Sequence, residues 1–319
     1  MKRRDLLKSG VTALMASLAG KTGIGGTIWR SKDLPQLTKR KYTDGIDLSI
    51  IGFGGIVVCG MEQAEANRMV AYSIDAGVNY FDVAPSYFDG EAEEKLGRAI
   101  KSYRKDIFLA CKTTERDAKG ARNELEISLK RTGVDHFDLY QFHAVKDMED
   151  VEKILGPEGA AETFLKAQKE GKIRFIGFSA HSEEAAIELL NRFSITSVLF
   201  PINYVNYARA NFGPKVVQKA KEKGAARLAL KMLAYTPREE KEPNKYPKCW
   251  YRPIDDEALA EKALRFTLSQ EITAAIPPGD EHLYAMALDL ARRFTFMDEK
   301  EQKALLTSTE GLKSLFPLA

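Results

Sequence analysis

Short runs of β-branched, aromatic and aliphatic residues recur along the chain, at 48–53, 78–82, 107–111, 137–142, 173–178, 197–202, 226–231 and 272–276. Between them apolar positions return with helical spacing, for example over 62–76, 91–103, 119–131, 160–170 and 183–192. Four helical stretches run into Gly77, Gly133, Gly171 and Gly224, and glycine takes the left-handed backbone that ends a helix without a Cβ clash. Strands alternating with helices predict a parallel sheet, because each parallel neighbour is reached by a crossover. Eight such units predict an α/β fold of the single-domain (β/α)8 TIM-barrel type. A doubly wound sheet is the alternative, but the glycine cluster Gly52-Phe53-Gly54-Gly55 lacks the spacing of a dinucleotide fingerprint.

The composition, 44% hydrophobic and 29% charged over 319 residues, is that of a chain able to bury a core and excludes a disordered one. Three cysteines without a C-x-x-C pair exclude a disulfide scaffold and give no structural zinc motif. The net charge of +3 is accounted for by Lys2, Arg3, Arg4 and Lys8 against Asp5. The rest is close to neutral, which argues against a nucleic-acid partner.

A basic start, the apolar run 11–19 and the small residues Ser17 and Ala19 flanking Leu18 resemble an export signal. Arg3 and Arg4 ahead of Leu6 and Leu7 resemble the twin-arginine type, which exports folded proteins. Residues 1–35 are therefore read as signal and linker, with the export machinery as a transient partner and the periplasm as destination. Residues 36–319 are read as the barrel, closed by a C-terminal helical tail from 297. The alternative is a basic N-terminus that stays in the cytoplasm. The apolar run is too short for stable membrane insertion.

Active sites of such barrels lie at the C-terminal ends of the strands. Those ends carry Asp82, Lys112, Gln141, His143, Ser179, His181, Asn203 and Lys231. A buried Lys112 needs a counter-ion, and Asp82 on the adjacent strand can supply it. Tyr87, five residues past Asp82, reaches the same mouth, where a nearby cation favours its phenolate and fits it for general acid work. His143 can hydrogen-bond a substrate oxygen. The same groups have plainer readings. Asp82 and Lys112 can be a structural ion pair, and Tyr87 and His143 ordinary packed residues. Asp82, His143 and His181 can form a metal site, although no spacing motif supports one. Arg116, Lys119 and Arg122 read as a solvated helix start, and Cys111 as a buried, unreactive thiol.

The segments IGFGG (51–55), NYFDVAPSY (79–87), GEAEEKLG (90–97), ACKT (110–113), DLYQFH (138–143) and IRFIGFS (173–179) together resemble the aldo-keto reductase superfamily. The resemblance runs in order over about residues 40–280. It implies a barrel that binds NADP(H) or NAD(H) without a Rossmann domain and interconverts a carbonyl and an alcohol. It implies Tyr87 as proton donor, Asp82 and Lys112 as the pair that tunes it, and His143 as the substrate-orienting residue. It also implies cofactor contacts from Gly54, Ser179, Asn203, Lys231, Pro278 and Gly279.

The chain departs from the family pattern in places. Ala180 stands where an asparagine is usual, strand seven lacks a stacking aromatic, and Asp280 and Glu281 stand where a serine or a cation is usual. Such acidic residues would repel a 2′-phosphate that they faced. A barrel that has kept its pocket but lost tight cofactor binding, or a metal-dependent hydrolase or isomerase, are the alternative functions. Segment 233–253, with four prolines and several aromatics, is either a lid over the mouth or a surface excursion. The Tyr- and Asn-rich stretch 204–212 is expected at the mouth, where it would suit a sugar-like ligand.

Overall fold

The computed structural model describes residues 35–239 and 241–316; the segment read as an export signal lies outside the described residues. The first described element is one that the strand pattern does not predict. An antiparallel hairpin of β1 (Lys39–Thr43) and β2 (Ile46–Ser49) precedes the barrel. Tyr42 and Leu48 of this hairpin pack with Tyr80, Phe108, Leu139, Leu199, Leu228 and Ala274, and the Tyr42 hydroxyl donates to Ser197 Oγ at 3.0 Å. The hairpin thus stoppers the floor of the barrel. It takes the first half of the run predicted as strand 48–53, because Leu48 is needed in the floor and not in the wall.

Seven parallel strands follow: β3 (Phe53–Gly54), β4 (Tyr80–Asp82), β5 (Phe108–Thr113), β6 (Phe137–Val145), β7 (Ile173–Ala180), β8 (Ser197–Pro201) and β9 (Ala226–Leu230). An antiparallel pair, β10 (Ala234–Pro237) and β11 (Tyr251–Pro253), interrupts the series before β12 (Ala274–Ile276). Each wall strand hydrogen-bonds to the next, and β12 lies against β9. The ring closes where Gly52 N–H donates to the Ala275 carbonyl and Ala275 N–H to that of Ile50, both at 2.9 Å. Among the described residues the wall is therefore the eight-stranded parallel barrel that the alternation predicts.

Helices α1 (Gln63–Asp75), α2 (Glu91–Ile100) and α3 (Ala118–Thr132) come first, then α4 (Met148–Leu155), α5 (Ala160–Lys169), α6 (Glu183–Arg192) and α7 (Tyr204–Ala210). They are followed by α8 (Pro214–Glu222), α9 (Glu257–Leu268), α10 (Glu281–Ala291) and α11 (Glu299–Thr307). Their limits follow local chemistry: Asp117 accepts from Gly120 N–H at the start of α3, and Gly133 at φ 67 ends it. No helix among the described residues is long and apolar enough to cross a membrane.

Two expectations about the loops change. Stretch 204–212 is largely α7, with Tyr204 and Tyr207 edge-on to Phe266 of α9. These rings serve helix packing and do not line the mouth. Segment 233–253 is both things at once. Ala234, Cys249 and Tyr251 form a small core of their own, while Lys248, Trp250 and Tyr251 turn one edge of it into a wall of the mouth.

Candidate active site

Asp82 and Lys112 end up side by side because β4 and β5 are parallel neighbours, with Asp82 opposite Ala110 and Lys112 two residues further on. Lys112 is wholly buried. Its ammonium donates to Asp82 Oδ1, to the Val83 carbonyl at 3.2 Å and to the Tyr87 hydroxyl at 3.2 Å. The other Asp82 oxygen accepts from the Tyr80 hydroxyl at 3.2 Å and from Gln141 Nε2 at 3.0 Å. Tyr80 and Gln141 thus lock the carboxylate that anchors Lys112. Tyr80 lies on the same face of β4 as Asp82, two residues away, and Gln141 is the register partner of Lys112. Those two spacings are the sequence signals that could have singled them out.

Tyr87 sits in a 3-10 turn after β4 whose Phe88 and Asp89 adopt positive φ, 50 and 55. This sharp turn brings the phenol back over the strand end. The Tyr87 and His143 rings meet edge-on at 5.8 Å between centroids. His143 Nδ1 faces Ser86 Oγ at 3.5 Å, and the His143 carbonyl accepts from Arg116 Nη2 at 2.7 Å. Arg116 also pairs with Asp150 at 3.1 Å. The expectation of a solvated helix start therefore fails for Arg116, which braces the strand end that carries His143.

The electrostatics alter one part of the sequence reading. Burial alone would lower the Lys112 amine, but the Asp82 charge and the Tyr87 hydroxyl outweigh it and hold the group above its ordinary value. Tyr87 is raised, not lowered: desolvation of its enclosed hydroxyl is the largest influence, and the Lys112 charge offsets it only in part. Tyr87 is thus held as the protonated phenol. Desolvation and then the Lys112 charge hold His143 well below the usual imidazole range, so it is neutral at pH 7. Burial and then Lys231 depress His181 to about 4. Burial and the Glu93 charge push the Cys111 thiol well up, as an unreactive cysteine requires.

All four of these residues, Asp82, Tyr87, Lys112 and His143, open onto one cavity of about 250 Å³. It is lined as well by Gly54, Ser179, Lys231, Pro278 and Gly279, and its apolar surface comes from Ile56, Leu199, Leu230 and Ile276. Ser179 Oγ accepts from Ala144 N–H at 2.7 Å, which leaves its proton free to donate. Lys231 takes φ 68, and its ammonium lies over the rings of Trp250 and Tyr251, at 5.0 and 4.7 Å from their centroids. Burial lowers its amine to about 8.

Asn203 is placed differently from the other candidates. It is fully buried and does not line the cavity; its Oδ1 caps α7 by accepting from Asn206 N–H at 2.9 Å, and its Nδ2 donates to the Lys231 carbonyl at 3.3 Å. A side chain so bonded braces the strand end. Asp280 likewise caps α10 by accepting from His282 and Leu283 N–H. Glu281 pairs with Lys248 at 3.0 Å, and Lys248 also donates to the Val57 carbonyl at 2.9 Å.

The metal alternative does not find its ligands. Among the described residues no three His, Cys, Asp or Glu side chains converge, and both Asp82 oxygens are engaged as described above. Comparison with known proteins supplies the remaining context. Residues 51–277 match the model of the Aldo/keto reductase family. The uncharacterized oxidoreductase YqkF of Bacillus subtilis is 25% identical over 307 residues, 86% of this chain and 97% of that protein. The aldo-keto reductase yakc of Schizosaccharomyces pombe, which carries NADP(+) in its name, is 31% identical over 184 residues, 52% of this chain and 50% of its own. Among solved structures, the holo form of aldo-keto reductase AKR11C1 from Bacillus halodurans superposes with a TM-score of 0.69 at 23% identity, over 88% of this chain and 99% of its own. Barrel, strand-end residues and matched span agree: the chain belongs to the aldo/keto reductase family and is an oxidoreductase.

Proposed function

We propose that this protein interconverts a carbonyl and an alcohol with NADP(H) or NAD(H), and that Tyr87 is its general acid and base. The observation that carries this reading is the row Asp82, Lys112, Tyr87, joined by hydrogen bonds and opening onto the cavity beside a neutral His143. The residues present fit the nicotinamide end of the cofactor. Ser179 has a hydroxyl proton to donate to a carboxamide, and Gly54, Leu199, Leu230 and Ile276 offer apolar surface. Bound there, the nicotinamide supplies or accepts a hydride.

The protein's own residues do the rest. In the reductive direction Tyr87 gives its proton to the carbonyl oxygen, and Lys112 remains charged and stabilises the phenolate left behind. Asp82 keeps Lys112 in place and is itself held by Tyr80 and Gln141. His143, neutral, can offer a ring N–H to the same substrate oxygen and so orient the carbonyl. In the oxidative direction the phenolate takes the proton back.

Calorimetric titration of the protein with NADPH and with NADH tests the reading. Saturable binding of either sustains it and decides the nucleotide. A ligand-binding barrel is the second reading, favoured by the commitment of Asn203 elsewhere and by the acidic start of α10; absence of binding by nucleotide-free protein selects it. Export is proposed from Arg3, Arg4 and the short apolar run that follows. Cell fractionation of wild type and of a chain carrying Arg3→Lys and Arg4→Lys tests it, and an exclusively cytoplasmic wild type would remove it. An exported reductase would arrive with its nucleotide already bound.

A further inference from the structure

His143 stands at an irregular place in β6. Phe142 pairs with Phe178 of β7 and Val145 with Ala180, so His143 and Ala144 together lie opposite Ser179 alone. This is a β-bulge, and Ala144 takes φ 53 within it, a backbone that few residues with a Cβ adopt. Bulges beside active sites re-aim a side chain. On the other edge β5 has already ended, since its last residue, Thr113, is in register with Phe142. His143 therefore has no β5 residue beside it.

Arg116 fills that place from the loop after β5. Its Nη2 donates to the His143 carbonyl at 2.7 Å. Asp150 holds the guanidinium in a fork, accepting from Nε at Oδ1 and from Nη2 at Oδ2, both at 3.1 Å. Asp150 Oδ2 also accepts from Lys146 N–H at 3.1 Å, and the residue lies in the first turn of α4, where a carboxylate is favoured. The β7 side of the bulge is fixed by Ser179 Oγ, which accepts from Ala144 N–H at 2.7 Å. Stability alone is a poor account of the Arg116–Asp150 pair. Both side chains are largely buried, and Arg116 Nη1 finds no hydrogen-bond partner among the described residues. Apolar packing commonly holds a fold as well as a buried ion pair does, whereas backbone strain that the surroundings brace clusters at active sites.

We propose that Arg116, gripped by Asp150, is a positioning residue for His143. By fixing the His143 carbonyl it fixes the backbone of the bulge, and with it the direction in which the imidazole leaves the strand. Arg116 itself does not line the cavity, whereas His143 does. The imidazole Nδ1 faces Ser86 Oγ at 3.5 Å and the ring meets Tyr87 edge-on. Nε2 is then the atom left to meet the carbonyl oxygen that Tyr87 protonates. The role rests on the carbonyl-reducing reading of the site.

The test measures reduction of 4-nitrobenzaldehyde by wild type, Arg116→Met, Arg116→Lys and Asp150→Asn, and repeats Arg116→Met and Asp150→Asn in a His143→Gln background. Arg116→Met should lower kcat roughly ten- to hundredfold, the scale of a misplaced reacting group, with nucleotide Kd unchanged. Arg116→Lys keeps a charged donor but loses the fork and should fall between Arg116→Met and wild type. In the His143→Gln background Arg116→Met should cost only about two- to threefold more, because the group it orients is gone. An equal loss in both backgrounds would overturn the proposal and assign the pair to stability, as would an unchanged kcat in Arg116→Met. If Arg116→Met does not fold, Asp150→Asn, which releases the fork and leaves the guanidinium, should show the same dependence on His143, and its absence would overturn the proposal. If wild type reduces no aldehyde with either nucleotide, the reductase reading fails separately, and ring signals of 15N-labelled histidine decide this one. The chain has four histidines, and His143→Gln identifies the signal in question. Arg116→Lys, which keeps the charge, should shift or broaden the His143 signal and leave those of His136 and His282 in place; an unmoved His143 signal would overturn the proposal.

Discussion

The ammonium of Lys112 donates to the Tyr87 hydroxyl at 3.2 Å while the same nitrogen is bound to Asp82 and to the Val83 carbonyl. One buried cation thus joins the carboxylate that stabilises it to the phenol whose charge it can stabilise. Removing one member of a buried pair leaves the other uncompensated, at about 3–5 kcal/mol. Lys112→Met should therefore lower both stability and turnover. Asp82→Asn, which keeps a hydrogen-bonding shape, should still lower the melting temperature by several degrees. Thermal unfolding and steady-state kinetics on the two variants check this; an unchanged melting temperature in both would contradict the coupling.

The state of Tyr87 sets the direction of the pH dependence. Its phenol is held above its ordinary value, so the protonated form that reduction needs persists through neutral pH and beyond the usual phenol pKa of about 10. With a neutral aldehyde, kcat for reduction should be flat from about pH 6 to pH 9. Alcohol oxidation needs the phenolate and should rise over the same range, approaching tenfold per pH unit. Reduction that rises with pH, or oxidation that falls with it, would contradict Tyr87 as the exchanging group.

A stability effect should appear on the acid side. His181 is depressed to about 4, chiefly by burial and then by Lys231. The unfolded chain takes up this proton near pH 6.5 and the folded one only near 4, so the unfolded state binds more protons in between. Stability is then full above pH 6.5 and falls on acidification through that window, by up to about 3 kcal/mol from this residue. Urea unfolding at pH 7 and pH 4.5 measures it. His181→Asn should reduce the difference, His143 keeping its own share, and an equally steep loss in the variant would assign it elsewhere.

Much of this site was legible in the sequence because it lies on the most regular part of the chain. The alternation of buried strands and helices gives the barrel, and a barrel puts Asp82, Lys112 and His143 at one mouth whatever the loops do. The β1–β2 hairpin was hidden because 39–49 mixes charged and apolar residues, and only the need to close the floor around Tyr42 and Leu48 explains it. Asn203 reads as a mouth residue from its position after β8, but helix capping competes for its side chain, and the start of α7 is the nearer partner. The sign of the Tyr87 shift depends on how deeply its hydroxyl is enclosed, a quantity set by the 3-10 turn at 87–90 and not by the spacing from Asp82.

The cavity is also sensitive to volume. A Cβ on Gly279 would lie 2.3 Å from Ile56 Cγ2 and 2.7 Å from its Cβ, far inside contact distance. Gly279→Ala should destabilise by about 1–3 kcal/mol, the usual cost of overpacking, and weaken nucleotide binding. The double variant with Ile56→Ala should recover much of both. Melting curves and nucleotide titrations of the single and double variants check this, and a neutral Gly279→Ala would show that the loop yields.

The central claim is that Tyr87 moves a proton to a substrate at a nicotinamide site. It is tested most directly by following NADPH and NADH oxidation with an aldehyde, by wild type and by Tyr87→Phe, alongside nucleotide Kd for both. The account predicts turnover by wild type, a loss of roughly 10²- to 10⁴-fold in Tyr87→Phe and an unchanged Kd. A Tyr87→Phe protein as fast as wild type, or a wild type that binds neither nucleotide, would contradict it.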